Sequence, residues 1–153
     1  MIIPLDSFIV GSVPPASPPS LRIVAVNRNR IFRDGLAVLL SMQPDFELVG
    51  VVATPGEGVR LFTTTRPGLT LMDLDEPANQ GLEAIQQIRD LDDTAWVIAL
   101  LTNDWDENAS RALEAGAAAV ITKDLIGERL LPLIRTGRPL GKHASRAGVY
   151  PLV

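Results

Sequence analysis

Polar residues follow four of the chain's five short apolar runs, at the point where each run ends. They offer an amide, a guanidinium, carboxylates, a hydroxyl and an ammonium. In chain order these are Asn27 and Arg28, then Asp73, Asp75 and Glu76, then Thr102 and Asn103, and finally Lys123. A carboxylate beside a hydroxyl and cations is suited to binding or countering an oxyanion. If the runs are parallel strands, their carboxyl ends share one edge of a sheet, and these groups form one pocket.

Each residue taken alone also has an ordinary structural explanation. Asp73 could form a turn, Thr102 could cap a loop, and Lys123 could extend to solvent. Because suitable polar residues follow four different strands, a shared site is favoured over four unrelated structural roles. The cysteines and glycine motifs that thiolate, dinucleotide-binding and P-loop sites require are absent from the sequence. The chain has no cysteine, a single histidine at His143, and neither a G-x-G-x-x-G nor a P-loop sequence.

The apolar runs predict the strands of a buried sheet. They cover residues 23–26, 48–53, 69–74, 97–101 and 117–121, and they are rich in Val, Ile and Leu with little alternation. Strands covered on both faces have this pattern.

The segments between the runs have helical periodicity. Helices are predicted at 31–42, at 58–64, around Leu82, Ile85 and Ile88, from about 104 to 116, and at 125–135, where Pro132 bends or shortens the last one. In the first, Ile31, Phe32, Leu36, Leu39 and Leu40 are expected to face inward. The alternation predicts an α/β fold, a doubly wound five-stranded parallel sheet with five helices.

Composition divides the chain into three parts. Residues 1–20 are a Pro/Ser-rich arm, residues 21–136 form the domain, and residues 137–153 are a basic tail. From Arg129 onward there are five Lys/Arg and no acids, against nine Lys/Arg and eighteen Asp/Glu before it. We interpret this tail as a solvated segment rather than a nucleic-acid footprint.

The same composition gives expectations for location and organisation. We read no leader and no membrane segment, which favours the cytoplasm. The seventeen residues after Thr136 are too few for a helix-turn-helix, so no DNA-binding domain is expected in this chain. Either the natural protein acts alone, or the sequence is part of a longer one.

The stretches "RIVAV…IFRDGLAVLL", "LMDLDEP…GLEAIQQIR", "VIALLT" and "ALEAGAAAVITKD" resemble the receiver domain of two-component response regulators. The resemblance is strongest to the branch that usually carries a helix-turn-helix output domain. It implies a flavodoxin-like strand order 2-1-3-4-5. It also implies a histidine kinase as partner, Mg²⁺ as cofactor, and Asp73 as phosphoacceptor. Thr102 and Lys123 match the residues that bind the phosphoryl oxygens, and Pro77 and Gly81 match the loop beyond the acceptor.

Three positions depart from the family pattern. Asn27 and Arg28 stand where the family has two adjacent acids, Val120 replaces the aromatic switch residue, and Asn103 replaces a small residue of the phosphate pocket. Mg²⁺ usually requires one or two carboxylates, and only Asp75 or Glu76 could partly replace the missing pair as weak ligands. An ion pair of Arg28 with Asp73 could take the place of the metal.

These departures favour a pseudo-receiver, a non-enzymatic signalling and protein-interaction module with no bound cofactor and impaired phosphorylation at Asp73. Two alternatives stay open: a competent phosphoacceptor, and a small-ligand sensor that uses the same pocket. The resemblance implies an interaction or homodimer face on the fourth helix, fifth strand and fifth helix, including Trp105, Arg111 and Val120.

Overall fold

Five parallel strands form one sheet in the order β2-β1-β3-β4-β5. The computed structural model describes residues 20–75, 78–102 and 107–137. The strands are β1 (Leu21–Val26), β2 (Phe46–Val52), β3 (Leu69–Asp73), β4 (Val97–Leu101) and β5 (Ala119–Thr122). This order confirms the predicted doubly wound, flavodoxin-like α/β class, and each predicted run overlaps one of the strands.

Helices cover both faces of the sheet. They are α1 (Arg30–Ser41), α2 (Pro55–Thr65), α3 (Ala78–Leu91), α4 (Glu107–Ala115) and α5 (Leu131–Thr136). A 3₁₀ turn (Lys123–Leu125) and a π turn (Ile126–Leu130) lead from β5 into α5. None of the helices in the described ranges is long and apolar enough to cross a bilayer.

Successive strand residues pack into two separate apolar layers. In β3, Leu71 belongs to the layer that contains Leu36 and Leu40 of α1, whereas its neighbour Met72 belongs to the layer that contains Ile85 and Ile88 of α3. Every residue of β3 and β4 is buried. Because neighbouring residues point to opposite faces and both faces are covered, the two strands are apolar apart from Thr70 and Asp73 of β3.

Helix α2 begins three residues before the predicted start at residue 58, because its cap was overlooked. The Thr54 hydroxyl accepts a hydrogen bond from Glu57 N–H, and the Glu57 carboxylate accepts one from Thr54 N–H. This is a capping box, with Pro55 in the first turn, where its missing N–H costs nothing.

The last predicted helix is divided at Pro132. Proline cannot donate to the carbonyl four residues earlier, and its ring crowds that carbonyl. The chain widens into the π turn before Pro132 and becomes α-helical only from Leu131. One inward assignment in α1 was wrong, because Ile31 is 82% exposed, whereas Leu36 and Leu40 are buried.

Candidate functional site

Three neighbouring strands, β3, β4 and β5, bring the predicted carboxylate, hydroxyl and ammonium to one edge of the sheet. Asp73 is the last residue of β3, and its side chain is 7% exposed. Thr102 follows β4, and Lys123 follows β5. Lys123 Nζ lies 2.9 Å from Asp73 Oδ1. A nearly buried carboxylate therefore forms a direct ion pair.

Asp75 joins the same cluster through three donors. Its Oδ2 lies 2.6 Å from Lys123 Nζ and accepts a 2.6 Å hydrogen bond from the Thr102 hydroxyl. Its Oδ1 accepts a 3.2 Å hydrogen bond from the Thr102 backbone N–H. The Asp75 backbone N–H in turn donates to Asp73 Oδ1 at 3.2 Å. One carboxylate thus connects the residues that follow β3, β4 and β5.

These contacts move the pKa values of the Asp75–Lys123 pair in opposite directions. Partial burial acts to raise the pKa of Asp75, but hydrogen bonds from Lys123 and Thr102 outweigh it and lower the pKa below its ordinary value. Partial burial likewise acts to lower the pKa of Lys123, but hydrogen bonds to Asp75 and Asp73 outweigh it and raise the pKa. Both groups are held in their charged forms.

An aromatic ring covers another side of the ammonium. Lys123 Nζ lies 4.9 Å from the ring centroid of Phe32, a half-buried residue of α1. A cation over a ring face is stabilised electrostatically. Sequence reasoning placed Phe32 only among the inward-facing residues of α1, and it assigned Asp75, one of the polar residues at this edge, no role beyond that of a weak metal ligand. The spacing of Asp73 and Asp75 was the one available signal for the second carboxylate.

Asn27, at the end of β1, is fully buried, and its amide orientation is set by one hydrogen bond. Asn27 Oδ1 accepts from the Asn29 backbone N–H at 2.8 Å, while Nδ2 has no hydrogen-bond partner among the described residues. The single side-chain oxygen at this position is already engaged. A buried N–H donor is present where a carboxylate would supply two anionic oxygens.

Arg28 is exposed, and the predicted ion pair with Asp73 is not formed. No Arg28–Asp73 ion pair within 4.0 Å occurs among the residues that the structure describes, and Asp73 pairs with Lys123 instead. A different arginine, Arg33 of α1, fixes the loop after β1. Its Nη1 donates to the carbonyl oxygens of Asn27 and Arg28, both at 3.0 Å.

The donor set of this edge fits a divalent metal poorly. Within residues 20–75, 78–102 and 107–137, no group of three or more His, Cys, Asp or Glu side chains is placed to hold a metal ion. Asp73 and Asp75 share an ammonium, and Asn27 contributes one engaged neutral oxygen. A hard cation would have to displace Lys123 to gain two carboxylates.

The remaining predicted residues are placed as follows. Glu76, Pro77, Asn103 and Trp105 lie outside the described residues. Arg111 is exposed on α4, and its Nη1 lies 3.4 Å from Asn108 Oδ1. Val120 of β5 is only 7% exposed and packs in the apolar layer beside α3, so its side chain cannot be part of a surface that contacts a partner.

Gly81 of α3 packs directly against the end of β3. A Cβ at Gly81 would lie 2.5 Å from Leu74 Cδ2 and 2.8 Å from the Asp73 carbonyl oxygen. Only glycine lets α3 approach β3 this closely, which gives a physical reason for the residue that the resemblance singled out.

Curated relatives are bacterial transcriptional regulators. The chain is 37% identical over 112 residues to the uncharacterized transcriptional regulatory protein YhcZ of Bacillus subtilis, covering 72% of this chain and 52% of that protein. It is 34% identical to the transcriptional regulatory protein LiaR of the same organism, covering 75% of this chain and 54% of that protein. The chain therefore spans about half the length of the curated relatives it matches.

Solved structures agree with the sequence matches. A LuxR-family two-component response regulator from Aurantimonas sp. SI85-9A1 aligns with a TM-score of 0.70 and 32% identity, covering 76% of this chain and 83% of that one. The response regulator domain of Thermotoga maritima CheB aligns with a TM-score of 0.68 and 26% identity, covering 76% and 94%. The family model of the response regulator receiver domain matches residues 23–135. The chain therefore belongs to the response regulator receiver domain family.

Proposed function

We propose that this chain is an atypical receiver, a signalling and protein-interaction module in which Mg²⁺-dependent phosphorylation of Asp73 is impaired. The chain spans about half the length of relatives that are named transcriptional regulators. From those names we propose that it acts in the control of transcription. Its binding surface, rather than an enzymatic reaction, would carry the output.

The observation that carries this proposal is the buried amide of Asn27. Receiver domains generally use Mg²⁺, a hard cation that needs oxygen ligands including carboxylates. Asn27 has no charge, and its only side-chain oxygen already accepts a hydrogen bond from Asn29 N–H. Replacing a carboxylate with an amide about 4 Å from the ion removes an attraction of about 4 kcal/mol per unit of ionic charge at an effective dielectric near 20.

The pairing of Asp73 adds to this effect. Phosphoryl transfer depends on metal ions and positioned cations that neutralise the charge on the transferred group. Lys123 is the one cation in contact with Asp73 among the described residues, and Asp75 shares it at a shorter distance. Without a metal, an incoming phosphodonor would meet two carboxylates that share a single positive charge.

A second candidate function is a competent phosphoacceptor. The proximity of Asp73 to Lys123, with Thr102 connected to both through Asp75, favours it. Intact-mass measurement after incubation with Mg²⁺ and a small phosphodonor separates the two functions. The impaired receiver gains little or no phosphoryl mass. A rapid stoichiometric gain that Asp73→Asn abolishes would establish the second function instead.

We further propose that a partner, or a second copy of this chain, binds the face formed by α4, β5 and α5. The sequence prediction included Arg111 in this face; it is an exposed cation of α4 that lines a groove with Glu83 and Gln86 of α3, so its variant tests whether the surface extends to that side of α4. Sedimentation velocity at increasing concentration tests for self-association, with Arg111→Glu and Trp105→Ala as variants. A concentration-dependent dimer that these changes weaken supports the face. A monomer at every concentration, unchanged by either variant, contradicts homodimerisation.

A further inference from the structure

We propose that the Asp75 carboxylate is a permanent internal occupant of an oxyanion site built by Thr102 and Lys123. Three donors from two strand ends converge on it: the Thr102 hydroxyl, the Thr102 backbone N–H and the Lys123 ammonium. The inference rests on the proposed function for the roles of Thr102 and Lys123 as oxyanion donors, and it adds that this chain supplies its own anion.

The contact distances support an engaged anion rather than a loose surface pair. The two contacts to Asp75 Oδ2 are both 2.6 Å, within the range of charge-assisted hydrogen bonds. The surface pairs Arg22–Glu47 and Arg30–Asp34 are 3.8 and 3.9 Å long. The pair Arg135–Asp45 is short, at 2.7 Å, but its side chains are 40% and 46% exposed, against 19% and 32% for Lys123 and Asp75. Donors spaced to hold two oxygens of a carboxylate are also suited to two oxygens of a phosphate, since both are anionic acceptors.

Tethering gives Asp75 an advantage over any dissolved anion. Asp75 is two residues beyond the end of β3, and its backbone N–H is hydrogen-bonded to Asp73 Oδ1. Its carboxylate is therefore presented to Thr102 and Lys123 within the same molecule, at a high effective concentration. An external oxyanion must displace it and must also overcome the repulsion of two carboxylates that share one ammonium. Removing Asp75 relieves both obstacles, because Lys123 then balances Asp73 alone.

The test uses inorganic phosphate in magnesium-free buffer containing a chelator, at constant ionic strength, with binding followed by the ¹H–¹⁵N shift of the Thr102 amide. The variants are Asp75→Ala and Asp75→Asn, the second of which keeps the side-chain shape if the first does not fold. The matched control is Asp92→Ala. Asp92 also accepts hydrogen bonds from a threonine N–H and hydroxyl, those of Thr94, but it has no ion pair among the described residues.

Removal of Asp75 should lower the Kd for phosphate by about tenfold or more, the change that about 1.4 kcal/mol produces. Thr102→Val in the Asp75→Ala background should reverse the gain, and Asp92→Ala should behave as wild type. If phosphate binds the folded Asp75 variants no more tightly than wild type, or if Asp92→Ala gives the same gain, the proposal is overturned. No phosphodonor or Mg²⁺ is present, so the result is independent of whether wild type proves phosphorylatable.

Discussion

Replacing Lys123 with methionine would leave Asp73 and Asp75 without the cation they share. The ammonium lies 2.9 Å from Asp73 Oδ1 and 2.6 Å from Asp75 Oδ2. The Asp73 side chain is 7% exposed, so little water is available to replace the lost charge. Methionine keeps the aliphatic length over Phe32 and removes only the ammonium, so the variant measures the electrostatic contribution.

The size of the effect follows from burial. Removing one partner of a fully buried ion pair costs about 3–5 kcal/mol, because an uncompensated charge remains. Here Lys123 is 19% exposed and Asp75 is 32% exposed. With solvent screening the free energy of unfolding at neutral pH should fall by about 2–3 kcal/mol, or roughly 8–12 °C in Tm for a domain of this size.

Urea unfolding monitored by circular dichroism measures this difference. The control is Arg135→Met, which removes a similarly short ion pair, 2.7 Å to Asp45 Oδ1, from the exposed surface. Its effect should be much smaller than that of Lys123→Met. An equal loss in the two variants, or a Lys123→Met protein as stable as wild type, would show that the cluster is not electrostatically coupled as described.

Three further predictions concern the same edge of the sheet. Gly81→Ala should lower the free energy of unfolding by about 1–3 kcal/mol, because the added Cβ would crowd Leu74 and the Asp73 carbonyl. Gly35→Ala should instead raise the free energy of unfolding by about 0.5–1 kcal/mol, because no atom lies within 4 Å of the added Cβ. Urea unfolding of both variants checks the contrast, which disappears if α3 does not approach β3 closely. The pKa of Asp75 is lower in the folded state, so the stability that its carboxylate contributes is present above the unfolded pKa of 3.8 and is lost as the pH falls through the lower folded pKa. The difference in free energy of unfolding between wild type and Asp75→Asn should therefore be constant near neutrality and shrink in acid. A difference that grows in acid would refute the ion pair. If the proposed function is correct, Asn27→Asp/Arg28→Asp should create Mg²⁺ binding and speed phosphoryl gain at Asp73 in intact-mass assays. A variant no faster than wild type would mean that the two residues after β1 do not limit phosphorylation.

Much of the fold was predictable because strands that are buried on both faces have a recognisable apolar sequence pattern. All five residues of β4 and three of the five residues of β3 belong to one of the two apolar layers, so these strands read as nearly continuous apolar runs. The start of α2 was missed because its signal is two polar residues, Thr54 and Glu57, rather than an apolar period. Ile31 was misplaced because helical spacing alone does not say which side of the first turn faces the sheet.

The sequence predicted which residues lie at the site better than it predicted which of them form ion pairs and hydrogen bonds with each other. The rule that parallel strands end at one edge placed Asp73, Thr102 and Lys123 together. It could not say which cation would reach Asp73, since Arg28 and Lys123 both follow a strand. The structure gives that contact to Lys123, and the second carboxylate, Asp75, becomes the centre of the hydrogen-bond network because its backbone turns it toward the ends of β4 and β5.

The most direct measurement is a titration of the wild-type protein with Mg²⁺, followed by the ¹H–¹⁵N shifts of the Asp73 and Asp75 amides. If the proposed function is correct, a domain in which Asp73 pairs with Lys123 and in which Asn27 and Arg28 follow β1 should show no saturable shift at millimolar Mg²⁺. A saturable shift at both amides that Asp73→Asn removes would contradict the account.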